Sequence, residues 1–158
     1  MSSSLSKVFV YGTLKKNQPN HYWLTNKNNG AASFLSNGTT KIRYPLVIST
    51  RYNIPFLLNK PGIGRNIKGE IYEINDEMLT KLDILEDYPE LYDRQIEPIE
   101  TDSGLVHCWV YLLRNFPTKM LDKSHLEEYT ETSELPYLES YDSSSEPHDA
   151  FDISKDRL

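Results

Sequence analysis

The chain has 158 residues and a single cysteine, Cys108, so no intrachain disulfide forms and a reducing cytosol is the expected compartment. No apolar run approaches the ~20 residues that span a bilayer. The opening segment, MSSSLSKVFV, lacks the charged start and long apolar stretch of a signal peptide. Four histidines (His21, His107, His125 and His148) show no metal-ligand spacing such as HExxH, and paired CxxC motifs are absent. His107 and Cys108 are adjacent in a strand-like run, so they point to opposite faces rather than forming a nucleophile–base dyad. There is no GxSxG elbow. The Pro61-Gly62-Ile63-Gly64 run leads to Arg65 without a Walker lysine, which argues against a phosphate loop. No basic stripe points to nucleic acid, and no basic amphipathic helix points to a membrane surface.

What is present is an ordinary globular composition, 38% hydrophobic, with 11 Tyr, 5 Phe and 2 Trp. The length fits one domain with one substantial core. The net charge of −6 is unevenly placed: residues 1–118 hold 13 basic and 12 acidic side chains, whereas residues 119–158 hold 4 and 11. The division expected is a main domain over residues 1–118 and an acidic C-terminal segment over 119–158. Tyr129, Tyr137, Tyr141 and Phe151 in that segment are unusual for a disordered tail, so part of it is expected to pack on the domain.

Short β-branched and aromatic runs recur between turn signals. Residues 7–11 (KVFVY) read as a first strand, followed by Gly12-Thr13. Pro19-Asn20 before HYWL predicts a short helix capped by Asn20. Ser36-Asn37-Gly38 predicts a turn between residues 32–35 and 40–43. Residues 46–49, 54–58 and 67–74 are further strands. Asp102-Ser103-Gly104 joins residues 94–99 to 105–113 in a hairpin, and the nearly continuous apolar run LVHCWVYLL predicts burial on both faces. About six or seven short strands and one strong helix predict a mostly antiparallel sheet that curls or closes.

That helix, residues 75–88 (NDEMLTKLDILEDY), carries a carboxylate out of place. Met78, Leu79, Leu82 and Leu85 form one stripe at about 100° per residue. Glu86 follows Leu79 by seven positions and Leu82 by four, inside the stripe, while Asp83 and Asp87 fall at its edge or on the water side. Pro89 disfavours helix at Tyr88, which puts Glu86 in the last turn. Desolvation and the negative helix end both raise the pKa of a carboxyl there, toward the range a general acid/base needs. The alternative is a structural Glu paired with a cation such as Arg94. A second candidate is Tyr11-Gly12-Thr13-Leu14, where a turn gathers backbone N–H groups able to hold a carboxylate or an oxyanion. An ordinary strand-ending turn is the competing reading.

In order along the chain stand VFVYGTLKKNQPNHYWL (8–24), YPLVI (44–48), NIPFLL (53–58), KGEIYEI (68–74), LDILEDYPELYDR (82–94), FP (116–117) and SYDS (140–143). Together they resemble the gamma-glutamyl cyclotransferase (AIG2-like) family, and within it the branch that acts on gamma-glutamyl amines. The resemblance implies an α+β fold, a small mixed, curled, barrel-like β-sheet with few helices and a pocket at one end. It implies release of 5-oxoproline and a free amine from a small-molecule substrate, typically gamma-glutamyl-epsilon-lysine left by proteolysis of transglutaminase cross-links. It implies no metal or organic cofactor, no nucleic-acid or membrane partner, and a monomer. The family's catalytic glutamate maps onto Glu86 and its substrate-binding loop onto Tyr11, Gly12, Thr13 and Leu14. Phe56 departs from the tryptophan of vertebrate members, and the residues just after Glu86 also differ; both bear on the pocket for the leaving amine. Competing expectations are cyclisation of gamma-glutamyl-alpha-amino acids or glutathione, and a non-catalytic AIG2-like binding module.

Overall fold

The computed structural model describes residues 5–50, 52–132 and Tyr137. Among these residues there are seven strands: β1 (Leu5–Val10), β2 (Ala32–Tyr44), β3 (Leu46–Ser49), β4 (Ile54–Leu57), β5 (Arg65–Asn75), β6 (Tyr92–Thr101) and β7 (Gly104–Leu113). Helix α1 (Tyr22–Thr25) is a single turn, α2 (Asp76–Leu85) is the strong helix, and a 3-10 helix covers Thr118–Asp122. Five strands close a barrel in the order β1-β5-β2-β6-β7, and β3 and β4 form a separate hairpin. Barrel neighbours are antiparallel except β1 and β7, which close the ring in parallel. The α+β, barrel-like expectation is therefore met. Among the described residues no helix is long and apolar enough to cross a membrane.

Closure depends on β2, which pairs with β5 along most of its length and with β6 at Thr39 and Thr40. Its register against β5 shifts between Phe34 and Ser36 and again between Thr39 and Arg43; such irregularities bend and twist a strand toward a second neighbour. The backbone groups released at the second shift find side-chain partners. Ile67 N–H donates to Thr40 Oγ1 at 2.8 Å, and Asn66 Nδ2 donates to the Thr40 and Lys41 carbonyls at 3.0 Å each.

The turn expected at Ser36-Asn37-Gly38 is overturned: β2 runs straight through it, with these residues opposite Ile71, Glu70 and Gly69. Gly38 serves close packing instead. A Cβ there would lie 2.5 Å from Ile99 Cγ2, and one on Gly69 would lie 2.4 Å from the Val10 carbonyl oxygen and 2.6 Å from Phe9 Cζ. The two facing glycines make room for large side chains inside the barrel.

Alternation along β1 buries both its faces. Phe9 belongs to a cluster with Ile67, Ile71, Ile99, Cys108 and Val110 that fills the barrel. Val8 and Val10 join Tyr72, Ile74, Tyr111 and Leu113 on the opposite face, beneath Met78 and Leu82 of α2. β7 is buried on both faces only from Val110 to Leu113; its first half exposes Leu105 and His107. This corrects the two-faced burial expected for the whole run, because α2 and the β3–β4 hairpin cover one end of the strand and water the other. Beyond residue 118, Met120 and Tyr129 are fully buried, and Leu126 N–H donates to the Leu46 carbonyl at 2.8 Å. Tyr141, Phe151, His148 and the Ser/Asp/Glu-rich run 139–152 lie outside the described residues.

Gly69→Ala is expected to cost about 1–3 kcal/mol by overpacking the barrel interior. A urea-unfolding midpoint matching wild type would show that the strands part freely there.

Candidate active site

α2 is built to end where it does. Asn75 Oδ1 accepts from Met78 N–H at 3.0 Å, capping the first turn. Asp76 and Glu77 follow at the positive end of the helix. At the other end Asp87 adopts φ 53°, Asp87 N–H donates to the Ile84 carbonyl, and Tyr88 N–H reaches back to the Asp83 carbonyl at 2.9 Å. This is a Schellman closure with Asp87 in the left-handed position where glycine is usual. The stop therefore lies before Pro89, and Glu86 is the C-cap residue rather than part of the last turn.

Glu86 is half-buried and faces a cleft. Among the described residues no group hydrogen-bonds to its side chain. Burial first, and the Asp83 charge second, push its carboxyl up from the ordinary 4.5 to about 7. Arg94, the cation that might have neutralised it, belongs to Asp83: Arg94 Nε and Nη2 donate to the two Asp83 carboxylate oxygens at 2.9 and 3.1 Å. The Arg94 guanidinium is also sandwiched between the Tyr88 and Trp109 rings, 4.5 and 4.4 Å from their centres. Tyr111 donates from its hydroxyl to Asp83 Oδ1 at 2.6 Å. Asp83, placed at the stripe edge by the helix pattern, is thus the hub of an ion pair beneath the site.

Across the cleft from α2, the chain leaves β1 and turns at Gly12, with Lys15 N–H donating to the Gly12 carbonyl at 3.2 Å. Gly12 needs no left-handed backbone. Its hydrogen side lies against the Pro55 ring, whose Cγ would be 3.1 Å from a Cβ. Among the described residues none accepts a hydrogen bond from the backbone N–H of Gly12, Thr13 or Leu14, and all three residues line the cleft. Asn20 is not the helix cap expected for α1; His21 stands at that position without a side-chain cap bond. Asn20 instead ties the loop from the side, its N–H donating to the Thr13 carbonyl at 2.8 Å and its Nδ2 to Thr13 Oγ1 at 2.9 Å.

The cleft therefore gathers Tyr11, Gly12, Thr13 and Leu14 from one strand end and Glu86 from one helix end. Its cavity volume of about 130 Å³ is enough for a small organic group. Tyr11, Tyr92 and Tyr111 form a buried floor around the carboxyl. Burial is the main cause raising the pKa of each, and the Glu86 charge adds to it, so all three remain neutral. Tyr11 is fixed by donating from its hydroxyl to the Tyr111 carbonyl at 2.7 Å.

A sequence model described as gamma-glutamyl cyclotransferase, AIG2-like, matches residues 8–131. The chain belongs to that family. A Drosophila melanogaster protein whose name proposes a gamma-glutamylcyclotransferase is 56% identical over 135 residues, covering 85% of this chain and 86% of its own. The Danio rerio gamma-glutamylaminecyclotransferase C is 47% identical over 80% of this chain and 87% of its own. The crystal structure of an AIG2-like protein from Mus musculus superposes with a TM-score of 0.82 at 37% identity, covering 85% of this chain and 96% of that one.

In this family member the cleft also holds residues that sequence reasoning missed, Tyr137 aside, whose segment was expected to pack on the domain. Tyr92 and Tyr111 reach it from β6 and β7, and Trp23, Tyr22 and Tyr137 stand nearer solvent. Phe56, noted as a departure from the family pattern, lies in the wall and stacks on Tyr92, ring centres 6.1 Å apart and planes 13° from parallel. Only the position of Phe56 in a motif gave it a signal. The tyrosines read equally well as core, because aromatic residues in strands are ordinary.

Glu86 has a consequence for stability. Below pH 4.5 its carboxyl is protonated in folded and unfolded chains, and above about 7 it is charged in both. Between these limits the folded state keeps a proton that the unfolded chain releases, so stability declines as pH rises from 4.5 to about 7. Glu86→Gln removes that loss. Its melting temperature is expected to match wild type at pH 4 and exceed it at pH 8, and a gap independent of pH in calorimetry would contradict the buried charge.

Proposed function

We propose that this chain is a gamma-glutamylamine cyclotransferase. It would convert gamma-glutamyl amines, gamma-glutamyl-epsilon-lysine among them, into 5-oxoproline and the free amine, with Glu86 as general acid/base. The observation that carries the reading is the pairing, in one cleft, of a carboxyl raised to about 7 with three backbone N–H groups, none of the four having a hydrogen-bond partner among the described residues. Family membership and the named Danio rerio relative support the same reaction class.

The chemistry is an intramolecular aminolysis. The substrate's neutral alpha-amine attacks its own gamma-carbonyl carbon and closes a five-membered ring. As the new C–N bond forms, the Glu86 carboxylate takes one proton from the attacking nitrogen. The gamma-carbonyl oxygen becomes an oxyanion, which the N–H groups of Gly12, Thr13 and Leu14 are suited to hold, one such donor being worth about 3 kcal/mol. Collapse breaks the original amide C–N bond, and the Glu86 carboxylic acid returns its proton to the departing nitrogen. One proton leaves one nitrogen and reaches another, so the enzyme ends as it began. A carboxyl of ordinary pKa would be too weak a base and, once ionised, too rarely protonated to serve both steps. The cleft adds proximity by folding the glutamyl chain so that its two ends meet.

Glu86→Gln keeps the shape and loses the proton carrier. Turnover measured as 5-oxoproline release is expected to fall by roughly 10²–10⁴-fold with the fold intact, and near-normal turnover in the folded variant would remove Glu86 from the mechanism. The assay panel pairs gamma-glutamyl-epsilon-lysine with gamma-glutamyl-alanine and glutathione, so that preference for either of the latter would redirect the substrate assignment.

A second test uses the pH profile. The acid limb of kcat/KM is expected near pH 7, where the Glu86 carboxyl ionises. Asp83→Asn removes the neighbouring anion and leaves the Arg94 cation, so both changes favour ionised Glu86 and shift that limb to lower pH. An unmoved limb would separate the limb from Glu86.

A further inference from the structure

We infer that Tyr137 is a specificity-determining residue, supplied by the C-terminal segment as the wall of the cleft against which the departing amine packs. This inference rests on the proposed aminolysis at Glu86.

Glu128, Tyr129, Glu131 and Tyr137 are fastened to the stretch that follows the substrate loop. Lys15, next after Leu14 and only 6% exposed, donates from Nζ to the Tyr129 carbonyl at 2.6 Å and lies 3.9 Å from Glu128 Oε2. Gln18 Oε1 accepts from Glu131 N–H at 3.0 Å. Glu131 Oε2 accepts from Tyr137 N–H at 2.7 Å, bringing the chain back toward the cleft. Asn20 Nδ2 completes the attachment, with Thr13 Oγ1 at 2.9 Å and the Tyr137 hydroxyl at 3.2 Å as acceptors. One amide thus links the loop that faces the reacting carbonyl to a ring more than a hundred residues further along the chain.

The direction of the leaving group follows from burial. The reacting atoms must lie between Glu86 and the loop. Behind them the cleft is closed by Phe56, Tyr92 and Tyr111, which are 1%, 5% and 3% exposed. The amine substituent must therefore extend outward, past half-buried Tyr137 and Trp23. Aromatic faces pack methylene chains, and the Glu131 carboxylate holds Tyr137 in place through its N–H. Such a wall favours a long aliphatic amine over a short one.

The test compares gamma-glutamyl-epsilon-lysine with gamma-glutamylmethylamine on the full-length wild type, Tyr137→Ala and Tyr137→Phe, with Tyr137→Leu read in place of the alanine variant should that variant not fold. Tyr137→Ala is expected to raise KM for the lysine substrate about tenfold more than KM for the methylamine substrate. Tyr137→Phe keeps the ring and is expected to retain most of the preference. Equal changes for both substrates in a folded Tyr137→Ala or Tyr137→Leu would overturn the role of Tyr137 while leaving the proposed reaction standing. Failure of the wild type to release 5-oxoproline from either substrate would overturn the reaction and this inference together.

Discussion

Arg94 takes Asp83 with two nitrogens, and that choice governs the chemistry of the site. The guanidinium is held on one side by the carboxylate and on both faces by Tyr88 and Trp109, so it is not available to the next acid along the helix. Had Arg94 paired with Glu86, the glutamate would be a stable carboxylate with a depressed pKa and no use as an acid. Instead Glu86 carries its burial cost without compensation, and the nearest charge, on Asp83, raises the pKa further. Pair geometry, more than the helix end, makes the carboxyl suited to proton transfer.

That arrangement stores instability at the cleft, and the rest of the molecule offsets it. The barrel closes without a free edge between its five strands, which removes exposed pairing groups. Its interior admits Phe9, Ile71 and Ile99 because Gly38 and Gly69 face each other across β2 and β5. The opposite face of β1, β5 and β7 takes α2, so the helix that carries Glu86 rests on a rigid sheet. A site on such a support keeps its geometry when the substrate brings charge into it.

The loop and the C-terminal segment form one unit with this frame. Lys15, Gln18 and Asn20 reach Glu128, Tyr129, Glu131 and Tyr137 between them, and Thr13 shares its Asn20 contact with Tyr137. Family membership explains the shared barrel and is consistent with the match running to residue 131. It does not by itself say how Tyr137 meets the cleft, which depends on its contacts with Asn20 and Glu131.

Local periodicity determined a good deal. The stripe of α2 placed Glu86 among apolar residues, alternation in β1 and the Asp102-Ser103-Gly104 turn marked real strands, and YGTL marked the loop, because each of these depends on neighbours within a few positions. Tertiary structure decided the rest. Ser36-Asn37-Gly38 has turn chemistry, yet pairing to β5 and the space needed by Ile99 keep it extended. Asn20 has the chemistry of a helix cap but spends its amide on Thr13 and Tyr137. Asp83 seemed a surface acid until Arg94 and Tyr111 met it from β6 and β7. Tyr92 and Tyr111 became cleft residues only when barrel closure brought distant strands together, and Tyr137 only through its contacts with Asn20 and Glu131. A spacing in sequence reports which side of an element a residue occupies; it does not report which element will face it, and for this cleft the facing residues set both charge and shape.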